Sequence, residues 1–226
     1  MPSTTPGPRP QSLGEEIANA VSHGAGAVLA VAAIPVLLVD AVSGGGPAVE
    51  VFAVAVFGAT MLLMYLASTL YHALPAPRHS PDELRGGAKE VFRVLDHSAI
   101  YLLIAGSYTP FALGVFRDDW GWPMFALVWA LAAAGVLLKC LARAKHPVLS
   151  TALYLAMGWM VIVASGPLFT ELPRAGLAWL AAGGITYTLG VVFFVFDDQL
   201  RYAHFAWHLF VLGGTACHFV AVLGYA

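Results

Sequence analysis

The sequence predicts an all-α, polytopic membrane protein with seven transmembrane helices, the N-terminus cytoplasmic and the C-terminus outside. Three observations predict it. First, 59% of the 226 residues are hydrophobic and 11% are charged, whereas a soluble domain carries about 25% charged residues. A water-soluble fold of this size could not hide so much apolar surface, so lipid is its natural solvent. Second, seven apolar runs are separated by turn-like breaks, each run near the ~20 residues that cross a bilayer as a helix. Third, Lys and Arg divide unequally between alternate breaks.

Residues 1–14, rich in Pro, Ser and Thr, read as a disordered cytoplasmic tail, and residues 15–226 as the membrane domain. The first run, 20–42, follows Glu15-Glu16 rather than a basic segment and is too long for a signal-peptide core, so no secretory signal is expected. The second, 48–74, follows Ser43-Gly44-Gly45-Gly46-Pro47. The third, 98–115, and the fourth, 122–141, are divided by Arg117-Asp118-Asp119. The fifth, 150–169, and the sixth, 175–196, are divided by Glu171-Leu172-Pro173-Arg174, and the seventh is 205–225. The runs are continuous and Ala/Leu-rich without period-2 alternation, which argues against spanning strands. Arg9, Arg78, Arg85, Lys89, Arg93, Lys139, Arg143, Lys145 and Arg201 fall on one side, and Arg117 and Arg174 on the other. The positive-inside rule then sets the orientation. A net charge of −2 gives no sign of a nucleic-acid partner. Cys140 and Cys217 lie in or at the end of apolar runs and read as small apolar residues, not as a disulfide or thiolate site. Gly106, Gly158, Gly183, Gly184, Gly190, Gly213 and Gly214 mark expected close helix contacts.

Ionisable groups inside a span are costly, so each needs a reason. His72 closes the second run, Asp96 opens the third, and His204 and His208 open the seventh. His23 and Asn19 lie near the start of the first, just after Glu16. The topology, assigned from Lys and Arg alone, places all of them in one cytoplasmic layer. His204 and His208 are four residues apart and share a helix face, so both imidazoles can reach one ion. His72 completes a set of three protein ligands with an open position, the usual arrangement of a catalytic zinc site. Imidazole also suits other transition metals. Asp96 is then either a fourth ligand or the group beside a water on the metal, and the second role is preferred because three histidines supply enough ligands. Ser68, one turn before His72, is placed to hydrogen-bond a ligand, a bound water or a substrate.

An H-x3-H pair is common on ordinary helices, and a proton relay or ion path uses the same residue types. His79 and His146 read as solvated loop residues. His97 is expected to face the headgroup region, and His218, much deeper, to be a packing or pore residue.

Four stretches carry a resemblance. The opening Glu16-Ile17-Ala18-Asn19-Ala20-Val21-Ser22-His23-Gly24 resembles the first motif of bacterial hemolysin III proteins, and Ser68-Thr69-Leu70-Tyr71-His72 their S-x3-H motif. The stretch from Leu95-Asp96-His97 to Tyr108-Thr109-Pro110-Phe111 is close to their most characteristic segment, and His204-Phe205-Ala206-Trp207-His208 matches their final H-x3-H. These proteins are similar to the progestin and adipoQ receptor family, which includes the adiponectin receptors. The resemblance implies seven helices, zinc held by His72, His204 and His208, and Asp96 interacting with the zinc-bound water. His23, Asn19 and Glu16 are expected as accessory groups. It also implies a function: a zinc-dependent hydrolase of a ceramide-like lipid amide or ester in the cell membrane. The alternatives are a pore-forming, haemolytic channel or transporter with a structural zinc, and a non-catalytic lipid sensor. The expected partners are membrane lipid and a lipid substrate.

Overall fold

The computed structural model describes residues 9–75, 87–142, 147–162 and 169–226. Residues 1–8 of the expected tail, together with Arg78, His79, Arg85, Arg143, Lys145 and His146, lie outside the described residues. The rest is helical, and among the described residues there are no strands. The helices are α1 (Leu13–Ser43), α2 (Ala48–Ala73), α3 (Ala88–Leu113), α4 (Trp122–Ala142), α5 (Pro147–Gly158), α6 (Arg174–Val195) and α7 (Ala203–Tyr225). A π-type turn, Arg117–Gly121, joins α3 to α4, and α5 runs on into a short 3-10 turn, Met160–Ile162.

Five of these segments are long and apolar enough to cross a membrane: α1, α2, Trp122–Leu141 of α4, α6 and α7. The expectation was seven. α3 spans 26 residues but carries Lys89, Glu90, Arg93, Asp96 and His97 in its first turns and Ser107, Tyr108 and Thr109 further on. Its neighbours explain that polarity. Asp96, Ser98, Ser107 and Thr109 are all buried within the bundle, so α3 meets protein where the other helices meet lipid. α5 is a 12-residue helix, and residues 163–168 beyond its 3-10 turn lie outside the described residues.

Consecutive helices pack on one another, and α7 returns to lie against α1 and α3. The core is centred on Phe57, Met64, Tyr101, Leu113 and Val128. Val28, Leu29, Val36 and Val39 of α1 are left exposed, as a lipid-facing surface requires. The α6–α7 contact is built on small residues. The buried residues of α6 are Gly176, Gly183 and Gly190, a seven-residue spacing that sets all three on one face. A Cβ at these positions would run into Tyr225, His218 and the Trp207–Phe210 turn in that order. Gly106 is likewise closed off by Thr60, and Gly214 by Tyr187. Gly158 is expected in the same role, but among the described residues nothing stands within 4 Å of a Cβ added there. Tyr108 ties α3 to the end of α5: its hydroxyl donates to the carbonyl of Met157 or Gly158 (2.9 and 2.8 Å) and accepts from Val161 N–H at 3.0 Å. The carbonyls freed at a helix C-terminus are satisfied in this way.

The start of α1 is fastened to the start of α7. Ser12 caps α1 in a capping box with Glu15. The Glu15 carboxylate also accepts from Arg9 at 2.7 and 2.9 Å and from the Tyr202 N–H at 2.9 Å. Tyr202 precedes α7 in the left-handed region (φ 60°), which a tyrosine adopts at a cost that Glu15 offsets. Glu15→Ala is expected to remove about 2–3 kcal/mol of stability, seen as a melting temperature lowered by several degrees in detergent. An unchanged melting curve would show the fastening to be dispensable.

Candidate metal centre

The last turn of α2 supplies His72, and the first two turns of α7 supply His204 and His208. One ligand nitrogen from each lies within 4.8 Å of the others. The ring centroids are 5.0 Å apart for His72–His204, 5.1 Å for His72–His208 and 4.8 Å for His204–His208. His72 and His208 are buried, and 11% of the His204 side chain is exposed.

Each of the three rings is anchored through Nδ1. His72 Nδ1 lies 2.6 Å from Glu16 Oε2, and the other Glu16 oxygen accepts from Lys89 Nζ at 2.8 Å. His204 Nδ1 lies 2.8 Å from Asp197 Oδ2. His208 Nδ1 lies 3.2 Å from the Asn19 carbonyl and 3.1 Å from Ser22 Oγ, whose own proton goes to the same carbonyl at 2.9 Å. A ring whose Nδ1–H donates to a carboxylate or carbonyl carries its lone pair on Nε2. His72 Nε2 is buried without a hydrogen-bond partner among the described residues. Leaving such an atom unsatisfied costs about 1–3 kcal/mol. An ion between the three rings removes that cost. Three neutral imidazoles with their lone pairs free are a donor set that fits zinc, with room for a further ligand.

The other expected site residues fall around this group. His23 on α1 stacks on His208, its centroid 3.6 Å away and the planes 4° apart. Its Nδ1 is 2.7 Å from Ser68 Oγ, and its Nε2 is buried without a partner among the described residues. Ser68 is fully buried and meets His23, not the three ligand candidates. Asn19, also fully buried, offers its carbonyl to His208, and its amide donates to Gln11 at 2.7 Å. Asp96 stands outside the close histidine group but is buried and faces the same cavity.

That cavity has about 950 Å³ of empty space, part of it open to the outside. His23, Asp96, His204 and His208 stand at one end, and Ile100, Leu103, Ile104, Val191, Phe194 and Val211 supply apolar wall. His97 also lines it, donating Nδ1–H to the Arg93 carbonyl at 2.7 Å and lying 3.6 Å from Asp96. It was expected to face the headgroups. Because α3 is surrounded by helices, adjacent positions on it both face inward.

Asp197 and Ser22 were missed in the sequence. Asp197 sits in the short connection ahead of α7, where no helical periodicity relates it to His204. The signal was an acidic pair, Asp197-Asp198, just upstream of the H-x3-H. Asp198 lies outside the spans and is held above the ordinary carboxylate range by desolvation and then by the Asp197 charge. Because Asp197 and Glu16 orient two of the three rings, Asp197→Ala and Glu16→Ala are each expected to weaken metal retention about 10–100-fold. Competition against a chromogenic chelator measures this, and retention equal to wild type would show that the carboxylates do not tune the site.

A family model described as haemolysin-III related matches residues 11–219, a span that includes every site residue above. The chain belongs to the haemolysin-III-related family. Hemolysin-3 of Bacillus cereus is 44% identical to this haemolysin-III-related chain over 215 residues, covering 95% of it and 93% of the relative. The Hemolysin-3 homolog of Bacillus subtilis (strain 168) is 40% identical over 214 residues, 95% of each chain. More distant is the monocyte to macrophage differentiation factor of Homo sapiens, 32% identical over 175 residues, 75% of this chain and 68% of that one. With its apolar helices, this haemolysin-III-family member is a multi-pass membrane protein.

Proposed function

We propose that the chain is a zinc-dependent hydrolase of lipid amides or esters, with seven spans and its histidine site at the cytoplasmic leaflet. One observation carries the reading: three histidines, each held through Nδ1, converge beside a largely apolar cavity that two of them, His204 and His208, line. Orientation rests on the basic residues, and Lys89 and Arg93 stand at the same end of the bundle as Glu16 and His72.

His72, His204 and His208 would hold the ion. When bound, zinc supplies Lewis-acid chemistry, polarising a carbonyl and bringing the pKa of water toward ~7. The chain's own residues do the rest. The apolar wall takes the acyl chain and excludes water from it. Asp96 accepts the proton of the attacking water and returns it to the leaving nitrogen or oxygen as the acyl C–N or C–O bond breaks, giving a fatty acid and an amine or alcohol. His23, held by Ser68, lies flat against His208 and keeps that ring in register.

The test is turnover by the purified, metal-loaded protein of a panel of N-acyl sphingoid bases, N-acyl ethanolamines and glycerol esters. Release of fatty acid that vanishes in His204→Ala supports the reading; no release from any member overturns it. The name of the Bacillus relatives, hemolysin-3, favours a second, membrane-lytic reading. Leakage from liposomes that survives His72→Ala would favour a pore with a structural metal.

A further inference from the structure

His218 lines the cavity on the same helix as His208 and ten residues beyond it, about 15 Å along the axis at 1.5 Å per residue. The distance is too great for it to join the ion held by the other histidines. Its ring is wedged against α6. The Cδ2–Nε2 edge lies against Gly183, where any side chain would collide with it, and Tyr187 stands edge-on at 5.4 Å. Nδ1 is buried and has no partner among the described residues.

The neighbouring polar groups are already satisfied. Ser107 Oγ donates to the Ile104 carbonyl, Thr188 Oγ1 to the Gly184 carbonyl, and the Tyr187 hydroxyl is paired with Thr215 Oγ1. Among these deep wall residues only His218 has a buried ring nitrogen with no hydrogen-bond partner among the described residues, in a stretch that also includes Leu103, Ile104 and Val211. A buried unpaired polar atom is costly, and a hydroxyl, which can both donate and accept, recovers much of that cost when delivered to it.

We infer that His218 forms a second, polar subsite that shares a hydrogen bond with a hydroxyl carried far along a lipid's acyl chain, so that the cavity selects chains hydroxylated near the middle. This rests on the proposed reading only in taking the cavity as the place of the acyl chain. The polar head of the ligand sits at the histidine cluster, and the chain runs between α3 and α7 past Ile104 and Val211.

The test is equilibrium binding of 12-hydroxystearate, 2-hydroxystearate and stearate to the full chain in detergent. Binding is followed through Trp207 and Trp159, which both line the cavity. Wild type should bind 12-hydroxystearate about tenfold more tightly than stearate, the worth of one hydrogen bond, and 2-hydroxystearate no better than stearate. His218→Leu should lose the preference while still binding stearate. His218→Asn, which sets an amide near the position of Nδ1, should keep a preference for the mid-chain hydroxyl. Equal affinities for stearate and 12-hydroxystearate in wild type, or a preference that survives His218→Leu, overturn the subsite and leave the hydrolase reading standing. Failure of all three acids to bind overturns both, because the cavity then holds no acyl chain.

Discussion

His208→Ala is expected to release the metal and to lower lipid hydrolysis about a thousandfold. His208 is the most enclosed of the three rings, held by Asn19 and Ser22 at one edge and covered by His23 on one face. Removing it leaves two imidazoles, too few to hold zinc firmly. A metal that stabilises developing charge contributes several kcal/mol, and at 1.36 kcal/mol per tenfold that is about three orders of magnitude in rate. The variant also leaves a void beneath His23, so its fold is checked by size-exclusion profile and melting temperature beside a His23→Ala control. His23→Ala removes the stacking partner but no anchored ligand candidate, and it should retain metal. A His208→Ala protein with wild-type metal content would remove His208 from the site.

Asp96→Asn is expected to separate metal binding from chemistry. Asp96 faces the cavity but lies outside the close histidine group, so the substitution should leave metal content near that of wild type. Loss of a positioned general base costs about 10²–10⁴-fold, and kcat should fall by that factor with KM little changed. Asn keeps the size of Asp and loses its ability to take a proton. Loss of metal in Asp96→Asn would instead make Asp96 a ligand. Full activity would place the base elsewhere, with His97, 3.6 Å from Asp96, the nearest alternative on the cavity wall.

Much of the helical layout was legible because lipid imposes long apolar runs whose breaks are conspicuous. α3 shows where that logic thins out. Its polar residues lower its hydropathy below that of a lipid-facing span, yet the bundle buries them. A composition window cannot distinguish a helix facing lipid from one surrounded by other helices. The grouping of His72, His204 and His208 was legible for a different reason. Four-residue spacing puts His204 and His208 on one face, and depth along α2 brings His72 level with them. Their supports were partly legible: Glu16 shares a motif with Asn19 and His23, whereas Asp197 reaches His204 from an irregular connection that periodicity does not describe. His218 was read as too deep to join the other histidines, and α7 does set it about 15 Å away. Sequence alone did not reveal that Gly183 makes room for its ring, or that one cavity extends from the histidine cluster to it.

The three Nδ1-anchored histidines are placed to hold one metal ion. The most direct measurement is the metal content, by plasma mass spectrometry, of wild-type protein purified in detergent without chelator. About one zinc per chain is the predicted result; a folded, metal-free protein that takes up no zinc on addition would contradict it.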